Sequence, residues 1–301
     1  MRKTKIAIIG FGNVGHKVLE AVNESPDMEV AGIIELPAII DKLKKSLPEF
    51  PVVEDIRDLS KVDVAILAVS TRNVPEVAAS YLKMGINTID AYDIHGDSMI
   101  QLKNQLDVVA KENKAVSIIA SGWDPGTDSI IRVVFEMIAP RGLTAVNYGP
   151  GMSMGHTVAV KAIPGVKDAI SMTVPKGMGL HKRIVYIELK EGYNFDEVVG
   201  AIKQDPYFSN DETHVFCSEN VNDLIDMGHG VHIDRKGVSG TTHNQKMDLT
   251  MSLNNPAATA QVMVSAARSS LKQRPGCYTL IEIPPIDFMY GERSALIKRL
   301  V

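Results

Sequence analysis

The chain has few of the features that mark membrane proteins or disulfide-stapled scaffolds. Its 301 residues include only two cysteines, Cys217 and Cys277, which lie far apart and belong to no CxxC or Cys/His cluster. Such sparse use of cysteine is typical of a reduced, cytoplasmic protein. No apolar run reaches the roughly 18 residues that would cross a bilayer. The charged N-terminus leads into a stretch broken by glycines, so we expect no signal peptide.

An excess of charge of one sign is also missing. The 32 Lys and Arg residues against 36 Asp and Glu give a net charge of -4, with no basic block to bind nucleic acid or an anionic membrane. The eight histidines show neither HExxH nor another ligand spacing, so no metal site is predicted. With 45% hydrophobic residues, the composition predicts about two ordinary globular domains.

A β-α-β unit with a glycine-rich turn opens the chain. Lys5 to Gly10 is a short apolar run of the kind that forms a buried parallel strand. The sequence GFGNVG follows at residues 10–15 and leads into a helical pattern, and Met28 to Ile34 predicts a second strand. A GxGxxG motif at the first turn of such a unit indicates a Rossmann-type dinucleotide site, with the pyrophosphate at the helix N-terminus.

The end of the second predicted strand bears on the choice of cofactor. Glu35 lies 20 residues after Gly15, where an acidic side chain would hydrogen-bond the ribose 2′-hydroxyl of NAD and repel the 2′-phosphate of NADP. Arg72, in the later loop Ser70-Thr71-Arg72, is the nearby cation that could still accept NADP. Glu35 therefore favours NAD, and both cofactors stay open.

Strands alternate with helices through the first 120 residues. Further strands are predicted at Val62–Val69, Asn87–Tyr92 and Ala115–Ala120, which indicates a doubly wound parallel sheet. Ligands bind such sheets beyond the carboxyl ends of the strands. The predicted cofactor-binding residues are Gly10, Gly12, Asn13, Val14, Gly15, Glu35, Ser70, Thr71, Arg72, Tyr92, Asp93, Gly122, Trp123, Pro125 and Gly126.

The second half of the chain has a mixed α+β pattern without another nucleotide motif. The predicted fold class is thus α/β, a Rossmann-type dinucleotide-binding domain joined to an α+β region. Strands are predicted at Ala169–Val174, Arg183–Leu189, Val231–Lys236 and Lys246–Leu253, and helices at Ile130–Ile138, Phe195–Lys203 and Ala257–Lys272.

Several longer motifs resemble the meso-diaminopimelate D-dehydrogenase family. They span nearly the whole chain in order, and SGWDPGTDSIIR at residues 121–132 is far more specific than the glycine motif. The others are STR (70–72), DAYDIHG (90–96), GPGMSMGH (149–156), VKAIPGV (160–166), HKR (181–183), KGVSG (236–240) and NNPAATAQV (254–262). Members of the family usually carry basic residues where this chain has Glu35-Leu36-Pro37, so the resemblance favours NADP against the indication of Glu35.

The resemblance implies a domain plan and a homodimer. The dinucleotide-binding domain would comprise residues 1–120 together with a C-terminal segment of about 256–301, and residues 121–255 would form the dimerisation and substrate-binding region. It also implies substrate contacts. Asp93, Trp123 and Asp124 would hold the D-centre, and Thr173, Arg183, His229 and Asn255 the distal L-centre; Tyr148, Met154 and Gly155 complete the set.

These residue types suit a substrate with an ammonium and a carboxylate at each end. Arg183 can grip a carboxylate bidentately, and Asp93 and Asp124 can accept hydrogen bonds from an ammonium. The implied reaction is oxidative deamination of the D-centre of meso-2,6-diaminopimelate to L-2-amino-6-oxopimelate and ammonia. Asp93 and Asp124 are the catalytic candidates; Asp124 either handles the proton or orients the amine while solvent takes it.

Two other functions fit parts of the sequence. The first is a reductase of the same plan, such as a dihydrodipicolinate reductase or a sugar dehydrogenase, which would need a lysine base early in the second domain; Lys161 and Lys182 are available. The second is a non-catalytic sensor that binds NAD and reports redox state to a partner.

Overall fold

The chain divides into two compact units. The computed structural model describes residues 2–225 and 228–301, and describes Gly228 and His229 by their backbone alone. The first unit comprises Met1–Val133 and Pro256–Val301, and the second Val134–Asn255. Residues 121–133, expected in the second region, lie in the first unit. The loop that opens this segment is bonded to the neighbouring strand end, where the Ser121 N–H donates to the Asp90 carbonyl at 2.7 Å.

Strands and helices alternate from the start of the first unit. The elements are β1 (Thr4–Ile9), α1 (Asn13–Asn23), β2 (Met28–Ile34), α2 (Pro37–Ser46), β3 (Val52–Val53), β4 (Val64–Leu67), α3 (Val74–Leu82), β5 (Asn87–Asp90), α4 (Asp97–Glu112), β6 (Val116–Ile118) and α5 (Thr127–Ile138). The residues of α5 from Val134 onward belong to the second unit.

The second unit contains two separate sheets. Its elements are β7 (Arg141–Tyr148), β8 (Gly151–Met152), α6 (Met154–Lys161), β9 (Val166–Gly177), β10 (Leu180–Leu189), α7 (Phe195–Gln204), β11 (Glu212–Cys217), β12 (Gly228–Ser239) and β13 (Thr242–Asn254). The strand orders are β11-β10-β9-β8, in which β10 and β11 are parallel, and the fully antiparallel β13-β12-β7.

The C-terminal segment completes the sheet of the first unit. Its elements are α8 (Asn255–Ser270), β14 (Gly276–Tyr278) and α9 (Arg293–Leu300), and β14 pairs in parallel with β6. The resulting seven-stranded parallel sheet has the order β14-β6-β5-β4-β1-β2-β3. Six of these strands follow the Rossmann order, which places a ligand-binding crevice where the order reverses beside β1. The predicted fold class is confirmed.

The alternation of side chains along the strands gives this sheet two apolar faces. On β1, Ile6 and Ile8 belong to a cluster that includes Val18 of α1 and Met263 of α8. Ala7 and Ile9 point to the opposite face, where Leu102 and Leu106 of α4 pack. Both faces are covered, which is why the strands read as continuous apolar runs in the sequence.

Neither a membrane-spanning helix nor a metal-binding group of side chains occurs among the described residues. No helix in this part of the chain has the length and apolarity to cross a bilayer. Nor do three or more of its histidine, cysteine, aspartate or glutamate side chains group in a way that could hold a metal ion.

Candidate active site

The three glycines of the first turn have different surroundings. Gly10 has a φ of +87°, and a Cβ built there would lie 2.6 Å from the Ala68 carbonyl oxygen. A Cβ on Gly15 would lie 2.3 Å from the Gly10 carbonyl oxygen, so the helix packs directly on the turn. A Cβ on Gly12 would meet nothing within 4 Å. Gly12 thus leaves space where the backbone can approach a ligand, as the dinucleotide motif requires.

The N-terminus of α1 is able to bind an anion. Gly12 is its N-cap, no described side chain caps it, and its first turn carries no acidic residue. Asn13 and Val14 begin the helix, so their N–H groups are among those without intrahelical partners. These donors and the positive end of the helix dipole fit a pyrophosphate.

Glu35 lies directly after β2 and is bonded to the glycine turn. Its Oε1 accepts a hydrogen bond from the Phe11 N–H at 2.6 Å, and its Oε2 accepts one from the Leu36 N–H at 2.8 Å. A carboxylate has about four acceptor positions, so these two bonds leave capacity for ribose hydroxyls. The sequence indicated the ribose contact but gave no sign that Glu35 also fixes the turn.

The loop after β4 contacts Asp93, which lies in the loop after β5. Thr71, in the short 3-10 turn Thr71–Asn73 that also contains Arg72, donates from Oγ1 to the Asp93 Oδ1 at 2.7 Å. Ser70 is the N-cap of this turn. Of the predicted cofactor residues, Thr71 is therefore brought into contact with a predicted catalytic carboxylate.

Asp90, at the end of β5, was not among the site residues predicted from the sequence. Its Oδ1 accepts hydrogen bonds from the Tyr92 N–H at 3.0 Å and the Ala120 N–H at 3.3 Å. The carboxyl is completely buried, and this desolvation raises its pKa to about 7. Asp90 therefore ties the start of the loop that bears Asp93 to the end of β6.

The loop after β6 carries Trp123 and Asp124 in a fixed backbone. Trp123 is buried and Asp124 is half-buried, and the Asp124–Pro125 peptide bond is cis. The Thr127 Oγ1 donates to the Trp123 carbonyl at 3.1 Å, and the fully buried Asp128 accepts from the Gly126 N–H at 3.0 Å. These contacts at the start of α5 hold the loop, a role that its turn-like sequence did not reveal.

Arg183 is the centre of a polar cluster in the second unit. It lies on β10, opposite Thr173 of β9, and its Nη1 donates to the Thr173 Oγ1. Its Nε donates to the Asp211 Oδ2 at 2.6 Å, which is also an ion pair. The structure thus brings two predicted L-centre residues together and adds Asp211. Asp211 was not among the residues predicted from the sequence, because the strand after it, β11, was not predicted.

Two histidines border this cluster. The Tyr148 N–H donates to the His181 Nε2 at 2.8 Å, and their rings lie 5.5 Å apart. His156 lies 2.8 Å from the Ser153 Oγ through its Nδ1. Burial, reinforced by the nearby Arg183 cation, lowers the pKa of His181 and brings that of His156 to about 3. Both imidazoles are therefore neutral at neutral pH.

The remaining predicted substrate residues have these positions. Met154 and Gly155 begin α6, and Met154 packs against the apolar cluster of Met152, Ile170 and Val221. Asn255 begins α8. The His229 side chain lies outside what the structure describes, so its predicted role is not tested.

Comparison with known proteins gives consistent results over the whole length. A family model described as the diaminopimelic acid dehydrogenase C-terminal domain matches residues 122–180, and one described as a CoA binding domain matches residues 1–92. The chain is 55% identical over 301 residues to the meso-diaminopimelate D-dehydrogenase of Bacteroides fragilis, and covers 100% of both chains.

Solved structures agree with this similarity. The C. glutamicum DAP dehydrogenase in complex with DAP superposes with a TM-score of 0.87 at 26% identity, over 100% of both chains. An engineered D-amino acid dehydrogenase bound to NADP+ gives a TM-score of 0.86 at 26% identity, over 99% of this chain and 100% of that one.

The Rossmann sheet, the glycine turn and the carboxylates at its strand ends, taken with these similarities, define an amino-acid dehydrogenase with a dinucleotide-binding domain. Within that class, the chain belongs to the meso-diaminopimelate D-dehydrogenase family. The family resemblance predicted from the sequence motifs is confirmed.

Proposed function

We propose that the protein catalyses the NAD(P)-dependent, reversible oxidative deamination of the D-centre of meso-2,6-diaminopimelate. With water and the oxidised cofactor, the products are L-2-amino-6-oxopimelate, ammonium, the reduced cofactor and a proton. The observation that carries the proposal is the 55% identity to a curated relative of that name over the full length of both chains. The place in metabolism that fits is the biosynthesis of diaminopimelate and lysine.

The chain's own residues support a dinucleotide at the glycine turn. We assign the pyrophosphate to the uncapped N-terminus of α1 and to the space beside Gly12, and the ribose to Glu35. When bound, the nicotinamide would take up the hydride that leaves the D-centre. The other predicted cofactor residues lie at the strand ends of the same unit.

The D-centre is assigned to residues at the ends of β5 and β6. Asp93 and Asp124 would accept hydrogen bonds from the amine, and Trp123 would provide an apolar wall. The Thr71 hydroxyl donates to Asp93, and the Tyr92 and Ala120 N–H groups donate to Asp90. These bonds hold the two loops in place before substrate arrives. Such preorganisation favours catalysis by alignment of the reacting C–H bond.

Asp124 is proposed to act on the amine proton. Oxidation requires a neutral amine whose lone pair assists departure of the hydride, after which water adds to the substrate imine and ammonia leaves. An Asp124→Ala variant should lose turnover by orders of magnitude, whereas near-normal turnover would remove Asp124 from the site. A matched pH–rate profile of Asp124→Asn separates proton handling, which would alter the profile, from orientation, which would lower the rate at every pH.

We propose that NAD is preferred to NADP. The Glu35 carboxylate is held near the turn by two backbone N–H groups, so a 2′-phosphate at the ribose position would meet a fixed negative charge. The ratio of kcat/KM for the two cofactors measures this directly. Glu35→Gln, which keeps an acceptor for the Phe11 N–H but removes the charge, should shift the ratio toward NADP, as should Glu35→Arg. A wild type that strongly prefers NADP would contradict the assignment.

One of the two lysines that an alternative reductase would need as a base is held in an ion pair. Lys161, one of two candidate bases for a dihydrodipicolinate reductase-like reaction, is ion-paired with Asp168 at 2.6 Å on the surface. A non-catalytic sensor would bind NADH tightly and turn over no amino acid. Incubation with meso-2,6-diaminopimelate and either cofactor at mildly alkaline pH should instead produce the absorbance of reduced nicotinamide. No signal with both cofactors would refute the proposed function.

We further propose that the partner of the chain is a second copy. The second unit exposes large apolar side chains on the last turn of α5 and on β7, among them Met137 at 76% and Leu143 at 75% exposure. Val134 and Ile138 are exposed on the same helix. Positions 134, 137 and 138 share one face of the helix because of their spacing, and an exposed apolar patch of this kind marks a protein interface.

A further inference from the structure

The polar cluster around Arg183 contains a negative charge that a site for a bare carboxylate would not need. Arg183 of β10 is in register with Thr173 of β9 and Thr213 of β11, and Asp211 lies two residues before Thr213. The role of Asp211 inferred below rests on the proposed function and on the family resemblance, which implies that Arg183 and Thr173 hold the L-centre of the substrate.

The charges of this cluster balance. The Arg183 and Asp211 side chains are mostly buried, at 13% and 26% exposure, and their Nε and Oδ2 atoms lie 2.6 Å apart. A carboxylate at that distance cancels much of the positive charge that would attract a lone carboxylate ligand. An α-amino acid head group carries one ammonium and one carboxylate, so its charges are complementary to those of the pair.

The hydrogen-bonding capacity matches the same head group. The contacts with Asp211 and Thr173 use Nε and Nη1 of Arg183, and the guanidinium has five N–H donors in total. The other donors can bind a carboxylate in the bidentate manner typical of arginine. Arg183 binds the Oδ2 of Asp211, and Oδ1 is the oxygen that an ammonium would bind.

The neighbouring groups leave this balance unchanged. The pKa values of His156 and His181 are lowered by burial and by Arg183, so neither imidazole adds a positive charge at neutral pH. The Asp211 backbone is itself fixed, since its N–H donates to the Phe208 carbonyl at 3.0 Å and its carbonyl accepts from the Thr213 hydroxyl at 3.2 Å.

We propose that Asp211 binds the ammonium group of the L-centre, while Arg183 and Thr173 bind its carboxylate. Asp211 is then a specificity-determining residue. It makes the protein favour a dicarboxylate with an amine at both ends over one with an amine at the D-centre alone.

The test compares two substrates that differ only in the L-amine. D-2-aminopimelate has the chain and both carboxylates of meso-2,6-diaminopimelate but no amine at the distal end. Asp211→Asn should lower kcat/KM for meso-2,6-diaminopimelate by roughly tenfold to a hundredfold, mainly through KM, because a charged hydrogen bond is lost. The value for D-2-aminopimelate should change by less than about threefold. Glu212→Gln, the same change of charge at the adjacent exposed residue, is the matched control and should alter neither.

The alternative is a purely structural role, in which Asp211 only orients Arg183. In that case Asp211→Asn would lower kcat/KM equally for both substrates, and this result would overturn the proposal, as would no loss on meso-2,6-diaminopimelate. Asp211→Glu should retain the preference for the diamine. If the wild type fails to oxidise meso-2,6-diaminopimelate with NAD and also with NADP, the proposed function is wrong. That result would not bear on the role of Asp211.

A binding measurement on the wild type needs neither turnover nor a folded variant. Calorimetric titration should show that L-2-aminopimelate, which carries the L head group, binds at least about tenfold more tightly than pimelate, which has no amine. Equal affinities would overturn the role of Asp211 whatever the outcome of the kinetics.

Discussion

At the residue scale, short polar contacts hold the carboxylates that we assign to the substrate amine. Thr71 bonds to Asp93, and Asp90 joins the end of β5 to the end of β6. Two of these contacts, from Thr71 to Asp93 and from Ala120 to Asp90, join residues 22 and 30 positions apart in the chain. No local motif encodes these two contacts, because their partners meet only once the parallel strands align. The sequence identified Asp93 and Asp124 as candidates but not the residues that position them.

Removal of the Thr71 hydroxyl tests this positioning. Thr71→Val should lower kcat/KM for meso-2,6-diaminopimelate by roughly tenfold, because the Asp93 carboxylate loses a hydrogen bond and can adopt other rotamers. Thr71→Ser, which keeps the hydroxyl, should remain close to the wild type. Near-normal kcat/KM in Thr71→Val, or a larger loss in Thr71→Ser than in Thr71→Val, would show that the hydrogen bond to Asp93 is not what matters.

Asp90 should make stability depend on pH in a particular direction. Its folded-state pKa of about 7 lies above the ordinary 3.8, so ionisation is disfavoured in the folded protein. The contribution of Asp90 to the free energy of unfolding is fully present below about pH 4 and declines as the pH rises to 7. Asp90→Asn keeps an acceptor for both N–H groups and cannot ionise. The wild type should therefore lose stability relative to Asp90→Asn as the pH rises from 4 to 7. The difference between their free energies of unfolding should change by up to a few kcal/mol, since each unit of pKa shift corresponds to about 1.4 kcal/mol.

Denaturant unfolding of both proteins across this pH range gives the measurement. The difference between the two curves isolates Asp90 from the other titrating groups. Parallel curves would show that the buried carboxyl titrates at its ordinary pKa.

At the scale of elements, a strand or helix was predictable where its apolar residues form a regular pattern in the sequence. The apolar runs of β1, β2 and β4 and the glycine turn before α1 were predictable because both faces of the sheet are buried. The strands β7 and β11 were not, since their buried positions are few and they lie at sheet edges. The helix α2 begins with Pro37 at its first turn and buries only Ile40, which leaves little periodicity to detect.

Two substitutions in the glycine turn should affect different properties: Gly15→Ala the stability of the fold, and Gly12→Ala the binding of the cofactor. Gly15→Ala forces a Cβ to within 2.3 Å of the Gly10 carbonyl oxygen, so it should destabilise the protein by about 1–3 kcal/mol. Gly12→Ala meets no protein atom within 4 Å and should cost less than about 1 kcal/mol of stability. Its methyl group would point into the space that we assign to the pyrophosphate.

Thermal melts and cofactor titrations distinguish the two variants. Gly12→Ala should keep a melting temperature near that of the wild type and bind NAD and NADP far more weakly. Normal cofactor affinity in Gly12→Ala would place the pyrophosphate elsewhere.

At the scale of the whole molecule, the discontinuity of the first unit is the least local feature. The segment from Pro256 supplies α8 to the core and β14 to the edge of the sheet. No periodicity in the sequence specifies that return, and only the family resemblance implied it. The two charged clusters likewise depend on tertiary folding, and Asp211 shows how a site residue is missed when the strand beside it is not predicted.

Assembly is tested by the exposed apolar residues of the second unit. Light scattering should give twice the chain mass of 32.8 kDa for the wild type. Leu143→Lys should shift the protein toward the monomer, because a buried interfacial leucine would be replaced by an unpaired charge. Ile100→Lys, at an exposed apolar position on α4 in the first unit, is the control and should not alter the mass. A monomeric wild type would contradict the proposal.

The central claim is that the protein oxidises the D-centre of a diamino dicarboxylate. The most direct test is the rate of cofactor reduction with pure meso-2,6-diaminopimelate against pure LL-2,6-diaminopimelate, which has no D-centre. We predict turnover of the meso isomer, with L-2-amino-6-oxopimelate and ammonia as products, and none of the LL isomer. Equal rates for the two isomers, or no turnover of the meso isomer with either cofactor, would contradict the account.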